Sequence, residues 1–219
     1  QKPQITFHGR QHYSSHNYFP NENTNSSVPS LGVTISSDLT WHSKITSITN
    51  YSRTLGFLRR CLDHAHSSIK HLAYVTLVRP KLEYACALWD PHLQNLISTI
   101  ELTQNRAARF IFSDYSRNTS ATNLKANAGP PSLQARRKIS RLCLFHKFYY
   151  ALSSSAAVIM PIHRTSSRIS HTLAVYPPHA RTTTHLNSFF VRTAIDWNDL
   201  PADIVVHSNP SDFKTATEQ

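Results

Sequence analysis

The sequence predicts a mainly α-helical chain, with a short β-hairpin at the N-terminus, a helical bundle in the middle and a basic tail that is part helix and part loop. Three observations predict it. Apolar residues recur at the i, i+3, i+4 spacing of a helix face through most of residues 41–112 and again over 133–150. Strand-like runs are confined to the first 40 residues, at Ile5-Thr6-Phe7 and Leu31-Gly32-Val33-Thr34-Ile35. Proline punctuation, at Asp90-Pro91 and Gly129-Pro130-Pro131, cuts the helical pattern into separate segments.

Taken in order, the two N-terminal strands are separated by a stretch rich in Asn and Ser with Pro20 and Pro29, which reads as a hairpin connection or loop. Trp41, Ile45, Ile48, Leu55, Leu58 and Leu62 then predict a helix from Trp41 to Leu62, capped by Asp38 or Thr40, with Lys44, Arg53, Arg59 and Arg60 mostly off its apolar face. A second helix is expected over Ser67–Val78 with Ile69, Leu72, Ala73 and Leu77 inward. Pro80 can open a short third helix, because the first helical position does not need its missing N–H, and Asp90-Pro91 should close it after Trp89. Leu82, Ala85, Cys86 and Trp89 would form its buried face.

From His92 to about Phe112 runs the clearest helix, with Leu93, Leu96, Ile97, Ile100, Ala107, Ala108 and Ile111 in one stripe. Arg106 and Arg109 lie near its C-terminal end, where cations also suit the helix dipole. Residues 113–132 read as a linker. Ser132 can cap a helix over Leu133–Tyr150 that carries Arg136, Arg137, Lys138, Arg141 and Lys147. Ser153–His185, rich in Ser, Thr and His, reads as mostly loop. Ser188–Ile204 reads as an amphipathic helix with Phe189, Phe190, Ile195 and Trp197, turning at Leu200-Pro201 and packing back onto the bundle.

Charge narrows the function. The chain holds 23 Lys and Arg against 12 Asp and Glu, a formal net charge of +11. Such an excess favours polyanionic partners, nucleic acid first and an anionic membrane surface second. From Tyr115 to Ile195 there is no Asp or Glu, yet there are eleven Lys or Arg, so nothing local neutralises the 133–150 helix. Cations there cannot all be buried unpaired, which makes that helix the leading phosphate-contact candidate. Lys44, Arg53, Arg59, Arg60, Arg106 and Arg109 are further candidates for nucleic-acid contact; the competing role is a merely solvated face, and for Arg106 and Arg109 a structural one.

The remaining composition excludes more than it assigns. No apolar run approaches the roughly 18–20 residues that span a bilayer, and no apolar signal precedes the first strand, which reads as a soluble fragment. Cys61, Cys86 and Cys143 lie far apart and suit reduced thiols of an intracellular protein. His8, His12 and His16 share a four-residue spacing, but Gly9, Ser14 and Ser15 weaken a helix there and no Cys or acid completes a metal site, so they read as loop histidines. No Gly-x-Gly, Gly-Lys-Ser, Gly-x-Ser-x-Gly or Cys-x-x-Cys pattern occurs. A Ser, His and Asp triad cannot be placed from composition. We assign no catalytic and no metal-ligating residue.

Val78-Arg79-Pro80-Lys81-Leu82-Glu83-Tyr84-Ala85 followed by Leu88-Trp89-Asp90-Pro91 resembles the segment after the polymerase core in reverse transcriptases of non-LTR retrotransposons, in the jockey-like branch of LINE elements. Leu31-Gly32-Val33-Thr34-Ile35 with Leu39-Thr40-Trp41-His42 precedes it, and Gln104-Asn105-Arg106-Ala107-Ala108-Arg109 follows in the family's order. Phe189-Phe190, Trp197-Asn198-Asp199-Leu200-Pro201 and Phe213-Lys214 are similar to the tail of such proteins. Pro3 and Ser30 depart from the family pattern.

The resemblance implies residues 1–40 as the end of the polymerase palm, 41–112 as a helical thumb, 113–132 as a linker and 133–219 as a basic C-terminal tail domain. It implies that this region grips an RNA template and DNA primer by the backbone, with the fingers and palm lying upstream and no membrane partner. By the same resemblance the parent would be an RNA-directed DNA polymerase needing Mg²⁺ on palm aspartates. No adjacent Asp-Asp pair occurs here, so the fragment alone is expected to be inactive and to hold no cofactor. The expected location is intracellular, nuclear at the site of integration with cytoplasmic assembly. Two alternatives stay open: a non-enzymatic nucleic-acid-binding remnant, and the product of a decayed element.

Overall fold

A computed structural model describes residues 27–30, 32–36, 39–50, 52–128, 131–150, 159–162 and 171–218. The strand expected at Ile5-Thr6-Phe7 and the histidines His8, His12 and His16 lie outside them. The chain is mainly helical, as expected. Strands β1 (Ser27–Ser30) and β2 (Val33–Ser36) form an antiparallel hairpin in which Ser30 faces Val33 across the turn. Gly32 sits in that turn at φ +76°, a conformation open to a residue without Cβ. The hairpin partner of β2 therefore comes from the polar stretch, where β1 includes Val28 and Pro29.

The helix expected over Trp41–Leu62 is two helices, α1 (His42–Thr49) and α2 (Ser52–Cys61). The N-cap of α1 is Trp41, with no side-chain cap, and the expected cap Asp38 lies outside the described residues. Ile45, Ile48, Leu55 and Leu58 are buried as expected, but Lys44 is buried too. Its ammonium donates to the Gly32 carbonyl at 2.8 Å and lies 5.8 and 5.9 Å from the Tyr84 and Trp89 rings. Lys44 thus ties the hairpin to α1 and is no surface cation.

Helix α3 (Ser67–Ala73), a π-helical stretch (Tyr74–Val78) and α4 (Arg79–Glu83) follow one another without a break, so Pro80 continues a helix and does not open one. A wider turn just before a proline relieves its clash with the preceding carbonyls and absorbs its missing donor. The helix then stops at Glu83, six residues before Trp89, and Ala85 adopts a left-handed φ of +54°. The Trp89 indole N–H donates to the Tyr84 carbonyl at 2.7 Å and closes this turn. Leu82, Cys86 and Trp89 are buried as the periodicity required, the last two on a turn and not on a helix.

The inward face of α3 also differs. Ile69, Leu72 and Leu77 are about half exposed, while Lys70, Tyr74 and Val78 are buried. Lys70 reaches inward because its ammonium finds the Asp63 carbonyl, at 2.9 Å, and the Ser113 hydroxyl. The helix α5 (Gln94–Phe112) carries its expected stripe inward except Leu93, and ends in a left-handed Ser113. The expected linker holds α6 (Ala121–Ala128), which packs on α5 with Leu124 buried.

One core lies among the hairpin, α1, α2, the π-helical stretch and α5, around Trp89, Ile100 and Tyr74. The second is built on α7 (Leu133–Tyr150). Against it pack a two-residue bridge of β3 (Met160–Pro161) with β4 (Val175–Tyr176), then α9 (Phe189–Asn198), which the exposed α8 (Thr183–Leu186) precedes, and after the Leu200-Pro201 turn α10 (Ala202–Val205) and α11 (Pro210–Thr217). Trp197 is fully buried at its centre, its indole N–H donating to the Leu173 carbonyl at 2.9 Å. Ile195, expected inward, is exposed. α7 contributes to both cores, Leu133 to the first and Leu142, Phe145 and Tyr149 to the second.

Candidate nucleic-acid interface

The cations of α7 do not form a free face. Arg137 and Arg141 are 1% and 3% exposed, and they meet on Asp90. The Asp90 Oδ1 lies 3.0 Å from Arg137 Nε, and its Oδ2 lies 2.9 Å from Arg141 Nε and 3.2 Å from Arg192 Nη1 of α9. Arg141 also reaches Asp196 Oδ2 at 2.8 Å and the Thr193 hydroxyl at 3.2 Å, and Lys138 pairs with Asp196 Oδ1 at 2.9 Å. Arg136 clamps the Glu83 carboxylate at the end of α4 with two hydrogen bonds. This corrects the expectation that α7 leads in phosphate contact. Arg136, Arg137, Lys138 and Arg141 are paired with acids about 50 positions away in sequence, which local charge counting cannot see. Only Lys147, of the α7 candidates, is exposed without an ion pair among the described residues.

The seam where α7, α9 and Asp90 meet encloses a cavity of about 150 Å³ lined by Trp41, His92 and Arg192 among others. Each nitrogen of Arg141 there already faces Asp90, Asp196 or Thr193. The seam is therefore a structural joint between the two cores. Burial pushes the thiols of Cys86 and Cys143 up, which keeps both protonated at neutral pH and weak as nucleophiles.

The other predicted cations lie on α2 and α5. Arg53, Arg59 and Arg60 project from α2 and Arg106 from α5, all exposed and none with an ion pair among the described residues. Arg59 and Arg106 line a cleft of about 280 Å³ whose other walls are Leu55, Gly56, Arg109, Phe110 and Tyr115. A Cβ added at Gly56 would meet nothing within 4 Å, so the missing side chain leaves the α2 wall open. The Arg59 guanidinium lies 3.9 Å from the centroid of the Tyr115 ring, in cation–π contact.

Arg109 has a different job. Its guanidinium donates to the Ser116 carbonyl at 2.7 Å and to the Thr119 carbonyl at 3.0 Å, so it fastens the loop that follows α5. The same loop is held by the left-handed Ser113, by Lys70 on the Ser113 hydroxyl, and by Asp114, whose Oδ1 accepts the Ser116 N–H at 2.9 Å. That N–H, then the Thr119 side chain and less so Arg109, hold the Asp114 carboxyl below the usual carboxylate range. The loop's one acid is thus turned onto its own backbone, and Tyr115 is presented beside Arg59.

Comparisons with protein-family models, with curated proteins and with solved structures return no match to this chain. The site is thus read from its own geometry. Among the described residues no group of three or more His, Cys, Asp or Glu could hold a metal ion, and no helix is long and apolar enough to cross a membrane. What the arrangement can do is bind anions through its guanidinium groups and stack flat aromatic groups beside Tyr115. Sequence reasoning missed Tyr115 and Gly56. The signals for them were a lone glycine inside a helical pattern and an aromatic residue in an otherwise polar segment directly after a helix.

Proposed function

We propose that this chain grips the backbone of nucleic acid through the α2–α5 face, as the thumb and tail region of a reverse transcriptase of the non-LTR retrotransposon kind. The observation that carries the binding is the group Arg53, Arg59, Arg60 and Arg106, exposed on two packed helices without acidic partners among the described residues. Unpaired arginines on a rigid scaffold suit bidentate phosphate contacts, which position a strand without reading its sequence. The order of the resembling motifs along the chain supports the assignment to a polymerase thumb and not to another basic helical module. On this reading the partners are an RNA template and a DNA primer. The Mg²⁺ chemistry belongs to palm aspartates that no pair in this sequence matches, and the site of action is the nuclear integration target.

The test is a salt series of binding to a primed RNA template. Changing Arg53, Arg59, Arg60 and Arg106 together to Gln frees up to four phosphates, so the slope of log K against log salt should become shallower by about 0.7–0.9 for each phosphate no longer neutralised. The control is Lys138→Gln, in an ion pair with Asp196, which should leave the slope unchanged. A folded quadruple variant with the wild-type slope would overturn the proposal.

A further inference from the structure

We infer that the cleft between α2 and the loop after α5 is a pocket for one unpaired nucleotide of a single strand, its base stacked on the Arg59–Tyr115 pair and its phosphate held by Arg106. The inference rests on the nucleic-acid reading above and adds to it a strand preference and a base site.

A backbone grip needs only exposed cations, and this cleft has more. The Tyr115 ring is 42% exposed, so with Arg59 lying against the ring, aromatic surface is still presented to solvent. Bases stack on aromatic rings and guanidinium planes whatever their identity, because each base has a π-face. That face is hidden inside a duplex and available only in an unpaired base.

The platform is pre-ordered. Arg109, which also lines the cleft, donates from both terminal nitrogens to the Ser116 and Thr119 carbonyls and so fixes the loop that carries Tyr115. Two further anchors, Lys70 on Ser113 and Asp114 on the Ser116 N–H, act on the same loop. Ordering a stacking residue before binding reduces the entropy lost on association. The volume, about 280 Å³, is at the lower edge of small-molecule sites, which begin near about 300 Å³, and suits a single nucleotide. The walls supply the rest of the chemistry: apolar contact from Leu55 and Phe110, open space over Gly56, and the unpaired guanidinium of Arg106 for a phosphate.

The experiment measures binding of the full chain to a fluorescein-labelled single-stranded 12-mer, to a hairpin duplex of the same composition, and to AMP. The variants are Tyr115→Ala, Tyr115→Phe and Gly56→Leu. Gly56→Leu fills the cleft from an open helix position and so is expected to fold. Tyr115→Ala should weaken single-strand binding by about 5- to 150-fold, the range that base–aromatic stacking spans, with Tyr115→Phe restoring it. Gly56→Leu should weaken it as well, while neither change moves duplex binding. A single strand containing 2-aminopurine should be quenched by wild type and not by Tyr115→Ala.

Unchanged single-strand affinity in both Tyr115→Ala and Gly56→Leu, with steep salt dependence retained, would overturn the base pocket and leave the backbone grip standing. Equal loss for duplex and single strand would also overturn it, since the cleft would then be making only backbone contacts. AMP binding as tight as the 12-mer would place the ligand in free solution and overturn the strand assignment. Failure of the folded wild-type chain to bind any of the three at low salt would overturn both proposals.

Discussion

Replacing Asp90 by Asn keeps the side-chain shape and removes one charge at the point where three guanidinium groups converge. The carboxylate is 5% exposed and lies within 3.2 Å of Arg137, Arg141 and Arg192. The three losses are unequal. Arg141 keeps Asp196 and Thr193, and Arg192, with 24% of its side chain exposed, can turn to water. Arg137 has no such escape: it is 1% exposed, and its Nη1 and Nη2 already lack hydrogen-bond partners. One uncompensated buried cation is therefore the expected damage, which costs about 3–5 kcal/mol. That is a large part of the roughly 5–15 kcal/mol by which native proteins are typically stable, and corresponds to a fall in Tm of roughly 6–20 °C.

The assay is urea unfolding followed by helix signal and by the fluorescence of Trp89 and Trp197, which are buried in the two different cores. Because Asp90 joins those cores through α7 and α9, both probes should report the loss together. Adding Arg137→Met to Asp90→Asn removes the orphaned charge and should recover most of the stability, since a buried pair replaced by apolar groups of similar size is often neutral. An Asp90→Asn variant within about 1 kcal/mol of wild type, or a double variant no better than the single, would refute a central role for Asp90 in the fold.

Two further outcomes follow from single side chains. His146 is fully buried, donates from Nε2 to the His207 carbonyl at 2.7 Å, and stacks on Phe213 with its Nδ1 unpartnered. Burial holds its pKa below the ordinary 6.5, against the smaller opposing effect of the His207 carbonyl. The unfolded chain therefore binds the proton first as pH falls, so stability should decline from about pH 6.5 downward and do so less steeply in His146→Gln. Parallel urea midpoints for the two proteins between about pH 7.5 and 5.5 would contradict this. Gly56→Ala should stabilise α2 by up to about 1 kcal/mol, because the added Cβ meets no atom within 4 Å, and a thermal melt that fails to rise would mean the position is not open.

The local features were legible because they are set by neighbours in sequence. The long helices α5 and α7, the buried stripe of Leu96, Ile100, Ala107 and Ile111, and the turn at Leu200-Pro201 all follow from side-chain period and proline stereochemistry, which act over a few residues. The surface position of Arg53, Arg59, Arg60 and Arg106 was likewise visible as cations beside an apolar stripe. Three local signals carry more than their common meaning. Pro80 looks like a helix start because its tolerance at a first turn is the usual case, whereas a π-helical turn can carry it inside. Residues 113–132 look like a linker although α6 packs within them. Asn209-Pro210, where Asn209 Oδ1 accepts the Ser211 N–H at 3.1 Å, is an ordinary capping pair that starts α11 and that the apolar pattern does not reveal.

By itself the sequence determined the helical class, most helix positions, the net charge of +11 and the absence of familiar catalytic motifs. Only the tertiary structure decided which cations face solvent. Arg137 and Arg141 looked free because no acid lies near them in sequence, yet Asp90 and Asp196 reach them across about 50 residues. Arg109 looked like a phosphate contact and instead holds a loop. Charge pairing depends on distance in space, and a Coulomb interaction of several kcal/mol in a low-dielectric interior is made by whichever groups the packing of apolar faces brings together. Composition counts those groups without locating them, and the fold turns one set of arginines into a joint and leaves another as a surface.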